Sequence, residues 1–361
     1  MAVRMDRHGL PGTTVKGAVQ TVFGPIEPSE LGITLTHEHL LIDLTSYFAM
    51  PEEASERSWV DAPVTMDRLG GLLKRFITNR SNLQLLDVDE AIEEILKYRY
   101  TGGGGLVDTS NVGLARDPLA LARIARATGL NIIMGASYYV PLAYPPDLHE
   151  RSEEDIGDEI IRDLTVGVGD TGVRAGVIGE VGNFWPTNET SLKVLRASAR
   201  ASVETGAAIL IHPGFHPDSP PHILDTLVEA GTDPKRIIMG HLDVFAVGRD
   251  WLRDLAKSGC YMEWDTFGLE DSSVAGGNLD YTQPASDAQR IQTLEFMLAE
   301  GFGDQVVIGH DVCTKFHRTK YGGKGYAHIL ENIVPRMRAR GSSEADINRI
   351  LVDNPARALA F

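Results

Sequence analysis

Short apolar runs recur along the chain, with longer amphipathic stretches between them. The runs fall at 33–41, 106–108, 131–134, 175–178, 208–211, 236–239, 260–264 and 306–308. Most are rich in consecutive Val, Ile and Leu, the pattern of strands covered on both faces. Between them, residues 89–99, 118–128, 189–205 and 287–300 repeat apolar positions at helical spacing. Strands alternating with helices in this way predict an α/β chain, a (β/α)8 TIM barrel of about 250 core residues plus insertions. A doubly wound sheet would give a similar pattern. A small hairpin is expected over 17–25, before the first strand, and the insertion 47–86 after that strand reads as a helical cap. A last helix around Asn354-Pro355-Ala356-Arg357 is expected to close the barrel bottom. No linker or composition break interrupts the pattern, so residues 1–361 are read as one domain.

Charge and cysteine content narrow the partners. The net charge of −16 argues against nucleic acid and anionic membrane surfaces and leaves a small-molecule substrate. Cys260 and Cys313 suggest no disulfide framework, which fits a reducing compartment. Met1-Ala2-Val3-Arg4-Met5-Asp6-Arg7-His8 has no apolar core of the kind a signal peptide needs. No apolar run reaches the ~20 residues that span a bilayer, so a cytoplasmic location is expected.

The chemistry gathers at the ends of the apolar runs. His37 and His39 lie two apart on a strand-like segment, so both imidazoles point to one face. Glu180 follows the fourth run, His212 the fifth, His241 the sixth and Asp311 the eighth. In a barrel these ends converge on one mouth, where catalytic residues collect. Four histidines and two carboxylates there could hold two divalent ions, and Glu180, in the middle of the series, is the candidate to bridge them. Imidazole and carboxylate suit zinc, with manganese, cobalt or iron as alternatives.

These residues carry a resemblance. Gly32-Ile33-Thr34-Leu35-Thr36-His37-Glu38-His39, Ile211-His212-Pro213-Gly214, Gly240-His241-Leu242 and Gly309-His310-Asp311 resemble the phosphotriesterase family of the amidohydrolase superfamily. Gly179-Glu180-Val181-Gly182 and Lys320-Tyr321-Gly322-Gly323-Lys324-Gly325-Tyr326 point to its phosphotriesterase-related, resiniferatoxin-binding-like branch. The resemblance implies a binuclear centre, usually zinc, with His37, His39 and Asp311 on the more buried ion. His212 and His241 would hold the more exposed ion, Glu180 would bridge, and relatives suggest a homodimer. One departure stands out. Family members that hydrolyse phosphotriesters and lactones bridge their metals with a carboxylated lysine, which aligns with Gly179. Glu180 lies one residue later, so the strand must end or bulge there for its carboxylate to face inward.

The expected activity is hydrolysis of a small ester, lactone or amide by a metal-bridging hydroxide, with phosphotriester hydrolysis or non-catalytic ligand binding as alternatives. Asp311 is expected to carry the proton to the leaving group. Tyr139 matches a family tyrosine near the bridging solvent and could orient substrate. Asp265, Lys315, His317 and Arg318 are further candidate substrate contacts. The last three belong to a basic segment after the eighth run, which points to a substrate with an anionic group.

Overall fold

The computed structural model describes residues 14–244, 247–270 and 284–361. The stretch Met1–His8 lies outside the described residues. A hairpin of β1 (Val19–Thr21) and β2 (Gly24–Ile26) opens the fold. The barrel strands are β3 (Thr34–Glu38), β6 (Gly105–Asp108), β7 (Asn131–Ala136), β8 (Val177–Gly182), β9 (Ile209–His212), β10 (Ile237–Met239), β11 (Tyr261–Trp264) and β12 (Val306–Ile308). β4 (Ile42–Asp43) and β5 (Gln84–Leu85) form a separate antiparallel pair. The eight barrel strands are parallel and ordered sequentially around one sheet. β12 returns beside β3, where Thr36 Oγ1 donates to the Ile308 carbonyl and the Asp311 N–H donates to the His37 carbonyl, each at 3.2 Å.

Helices α1 (Leu69–Leu72), α2 (Val88–Tyr100), α3 (Pro118–Thr128), α4 (Glu153–Thr165), α5 (Glu189–Thr205), α6 (Ser219–Glu229), α7 (Arg249–Ala256), α8 (Asp287–Ala299), α9 (Val334–Arg340), α10 (Glu344–Asn348) and α11 (Asn354–Leu359) complete the set. Their limits are written in local chemistry. Asp117 caps α3 by accepting the Ala120 N–H, Pro118 needs no donor at the first position, and Gly129 ends the helix at φ 71°. Asn188 and Gly206 bracket α5 in the same way. Among the described residues no helix is long and apolar enough to cross a membrane.

Alternate strand residues enter two cores. Leu106, Ile132, Ile209, Ile237 and Val306 pack under the helices. Val107, Ile133, Val177, Leu210, Ile238 and Val307 fill the barrel with Val19 and Leu359, so the hairpin and α11 stop its lower end. The run of glycines before β6 permits close backbone crossing, since a Cβ on Gly104 would meet the Leu31 carbonyl oxygen at 2.6 Å.

One expectation needs correction. The insertion is not a helical cap. Its residues form the 3-10 turns Ala54–Trp59, Met66–Arg68 and Phe76–Thr78, with only the single turn α1 as α-helix. Pro51, Pro63 and the pair Gly70-Gly71 interrupt any longer run. Of the two alternatives expected at Glu180, an end or a bulge, the fourth barrel strand takes the bulge and runs on to Gly182.

Candidate metal centre

Glu180 reaches the barrel mouth because its strand carries an extra residue. Ile178 pairs with Ile209 and Val181 with Ile211, three steps against two, so β8 bulges at Gly179-Glu180. The Gly179–Glu180 peptide is cis. Gly179 sits at φ 146°, and a Cβ there would meet the Leu210 carbonyl oxygen at 2.4 Å. The position that aligns with the family's bridging lysine therefore has no room for a side chain, and the neighbouring glutamate takes the inward place. β3 has the same irregularity, with Leu35 opposite Leu106 and Glu38 opposite Asp108.

The bulge puts the Glu180 carboxylate among four imidazoles. Oε1 lies 3.2 Å from His39 Nε2, while Oε2 lies 3.0 Å from His212 Nδ1, 3.5 Å from His37 Nε2 and 3.6 Å from His241 Nε2. Asp311 Oδ1 is 3.3 Å from His39 Nε2. His37, His39 and Asp311 form one group with ligand atoms within 4.8 Å of one another, and Glu180, His212 and His241 form another. His241 and Asp311 both adopt left-handed backbone, at φ 55° and 51°, which turns their side chains out of the strand direction.

The histidines are oriented from behind. Ser110 Oγ donates to the Leu41 carbonyl at 2.7 Å and so accepts the His39 Nδ1–H at 2.9 Å. His241 Nδ1–H donates to Asp265 Oδ1 at 2.8 Å, and His37 Nδ1 faces Asp265 Oδ2 at 3.0 Å. Each ring then turns its Nε2 toward the centre. His241 Nε2 approaches His212 Nδ1 to 2.8 Å, and His37 Nε2 is buried without a hydrogen-bond partner. Ring nitrogens and carboxylate oxygens crowded together call for cations between them. Nitrogen and oxygen donors in this mix suit a divalent ion of the zinc or manganese kind.

Burial opposes charge on His39, but hydrogen bonds that Asp311 and Glu180 accept from it outweigh this and lift the ring to about 9. Burial likewise opposes charge on His37 and His241, yet Asp265 and Glu180 raise both. His212 goes the other way, lowered by burial and by His241. Burial pushes Glu263 up to about 7 despite its contact with His37.

The remaining candidates separate. Tyr139 is buried, its ring centroid 5.1 Å from that of His212 and 6.1 Å from that of Tyr47 in the insertion. His317 lines a small cavity with His212, His241 and Asp311, and burial pushes its imidazole down to about 4. Three residues are placed otherwise than as substrate contacts. Asp265 is wholly buried behind the histidines and positions His37 and His241. Arg318 is also wholly buried, donating to Glu90 Oε1 at 2.8 Å and to the Leu40 carbonyl at 2.7 Å. Lys315 donates to Ser81 Oγ at 3.0 Å, outside this cavity.

Sequence reasoning missed the orienting groups Ser110, Glu263 and Tyr47. A signal for one was present: Glu263 and Asp265 lie two apart at the end of β11, the same spacing that marks His37 and His39. Glu38, between those histidines, was also overlooked. Its Oε1 accepts the His310 N–H at 2.8 Å and its Oε2 the Val312 N–H at 3.2 Å, clamping the backbone on both sides of Asp311.

Comparison with known proteins agrees with this geometry. A model of the phosphotriesterase family matches residues 17–359. An N-acetyltaurine hydrolase from Salmo salar is 41% identical over 350 residues, covering 97% of this chain and 99% of that protein. A phosphotriesterase-related protein from Nematostella vectensis is 41% identical over 348 residues, covering 96% and 99%. A resiniferatoxin-binding protein from Rhodobacter sphaeroides superimposes with a TM-score of 0.91 at 32% identity, covering 97% of this chain and 98% of that one.

Proposed function

The chain belongs to the phosphotriesterase family, and on that premise we propose that it is a metal-dependent hydrolase of small N-acyl amides ending in an anionic group, N-acetyltaurine foremost. The observation that carries the reading is the Glu180 carboxylate set among four imidazoles, three of which turn Nε2 inward. His37, His39 and Asp311 would hold one divalent ion, His212 and His241 a second, with Glu180 between them. Relatives named N-acetyltaurine hydrolase, similar over nearly their whole length, favour an amide over an ester or lactone. The sulfonate of N-acetyltaurine also meets the expectation of an anionic substrate.

Bound there, divalent ions supply a water acidified toward neutral pH and a Lewis acid for the carbonyl oxygen. The chain's own groups do the rest. Asp311, its carboxyl held low against burial by His39 and His37, accepts the proton of the attacking water as oxygen bonds to the carbonyl carbon. It returns that proton to the departing nitrogen as the C–N bond breaks, leaving a carboxylate and an amine. Burial, then Tyr47 and Glu180, keep the Tyr139 phenol protonated, so its O–H can donate to the carbonyl oxygen.

The test is turnover of N-acetyltaurine, N-acetyl-β-alanine, a γ-lactone, an aryl ester and a phosphotriester by zinc- or manganese-loaded protein. N-acetyltaurine is expected to exceed the lactone, ester and phosphotriester in kcat/KM by at least about tenfold. A lactone or phosphotriester outrunning both amides overturns the amide reading. Silence across the panel with metal bound overturns hydrolysis and favours a ligand-binding protein.

A further inference from the structure

The basic segment after β12 offers several cations, but most are engaged within the fold. Glu90 pairs with Arg318 at 2.8 Å and with Lys320 at 2.6 Å, and Lys315 is turned to Ser81. Lys324 differs. It is exposed, and among the described residues no carboxylate pairs with it. It lines a second cavity, between Leu69 and Leu73 of the insertion and the residues that follow β11. The stem of Lys324 lies against Gly268.

This outer cavity adjoins the one at the metal centre, because Leu269 and His317 line both. His317 Nδ1 accepts the Cys313 N–H at 3.4 Å, which leaves the ring proton on Nε2, and that buried atom has no partner. Other polar groups around the outer cavity are already engaged. His310 Nδ1 meets Glu38 at 2.6 Å and its Nε2 accepts the Ile329 N–H at 3.0 Å, while Glu270 takes the Asp287 N–H at 2.8 Å.

We propose that the two cavities form one substrate site, in which Lys324 and His317 bind the anionic end of the amine half. This rests on the amide reading above. The acyl half lies at the metal centre, where its carbonyl meets the attacking water. The sulfonate or carboxylate sits a few atoms along the substrate from that carbonyl, and the adjoining cavity holds the donors left free for it. An ammonium supplies charge and the imidazole N–H supplies direction.

Kinetics on N-acetyltaurine, N-acetyl-β-alanine and neutral N-acetylpropylamine test this. Lys324→Ala is expected to lower kcat/KM for both anionic substrates by about three- to tenfold, mainly through KM, because an exposed ammonium is partly screened. The neutral amide is expected to be unaffected, Lys324→Arg to restore the anionic substrates, and His317→Ala to lower them further. Equal loss on all three substrates in Lys324→Ala, or no loss, overturns the proposal. Should the native protein cleave no amide, the amide reading falls by itself and calorimetry on the zinc-loaded protein decides the subsite. Taurine binding in preference to propylamine, abolished by Lys324→Ala, upholds it. No taurine binding, or equal binding in the variant, overturns it.

Discussion

Replacing Asp311 by asparagine is expected to lower kcat on N-acetyltaurine by about 10²- to 10⁴-fold, the range spanned by loss of a positioned proton-transfer group. The substitution isolates chemistry from folding. Asp311 sits at φ 51°, a conformation that asparagine adopts nearly as readily as aspartate. Its backbone is also held from both sides, by the Glu38 bonds to His310 and Val312. Asparagine keeps one oxygen near His39 but cannot take a proton from water. Steady-state kinetics with metal analysis of the same sample is the check. Metal largely retained with kcat collapsed is the expected pair, and an unchanged kcat removes Asp311 from proton transfer.

Glu180→Ala is expected to take the metal content from two ions per chain to one and to abolish measurable turnover. The carboxylate is 2% exposed and is the one group within 3.6 Å of all four imidazoles. Its removal leaves His212 and His241 without their shared anion, whereas His37 and His39 keep Asp311 beside them. The ion lost is therefore the one held by the His212–His241 pair. Elemental analysis after reconstitution and dialysis measures this, with circular dichroism to verify the fold. Two ions retained in the variant would remove Glu180 from the bridging position and favour a different pairing of the ligands.

Much of the barrel is legible in the chain because its local signals agree with one another. The run 306–308 and helices α3 and α5 coincide with the observed elements, as apolar periodicity, an Asp or Asn cap and a terminal glycine mark the same limits. The gathering of His37, His39, His212, His241 and Asp311 follows from strand order, since parallel strand ends must meet. Glu180 is legible only as a conflict. Strand alternation sends it outward, and the extra residue that reverses this lies in pairing with β9, which one strand's sequence does not display. Asp265 and Arg318 misled for a related reason. A charged residue near the mouth reads the same whether it meets substrate or is buried against His241 or Glu90, and only long-range packing separates the two. Lys324 was passed over because its neighbours share its charge, and the structure singles it out by engaging the others.

The most direct test of the account is to strip the native protein of metal and titrate it with zinc while following acetate release from N-acetyltaurine. Activity should be absent at the start and rise to a plateau at two equivalents. Protons should be released on uptake, because His37, His39 and His241 hold them in the metal-free fold and binding requires the bare nitrogens. Full activity in the stripped protein, or two bound ions with no acetate released, would contradict it.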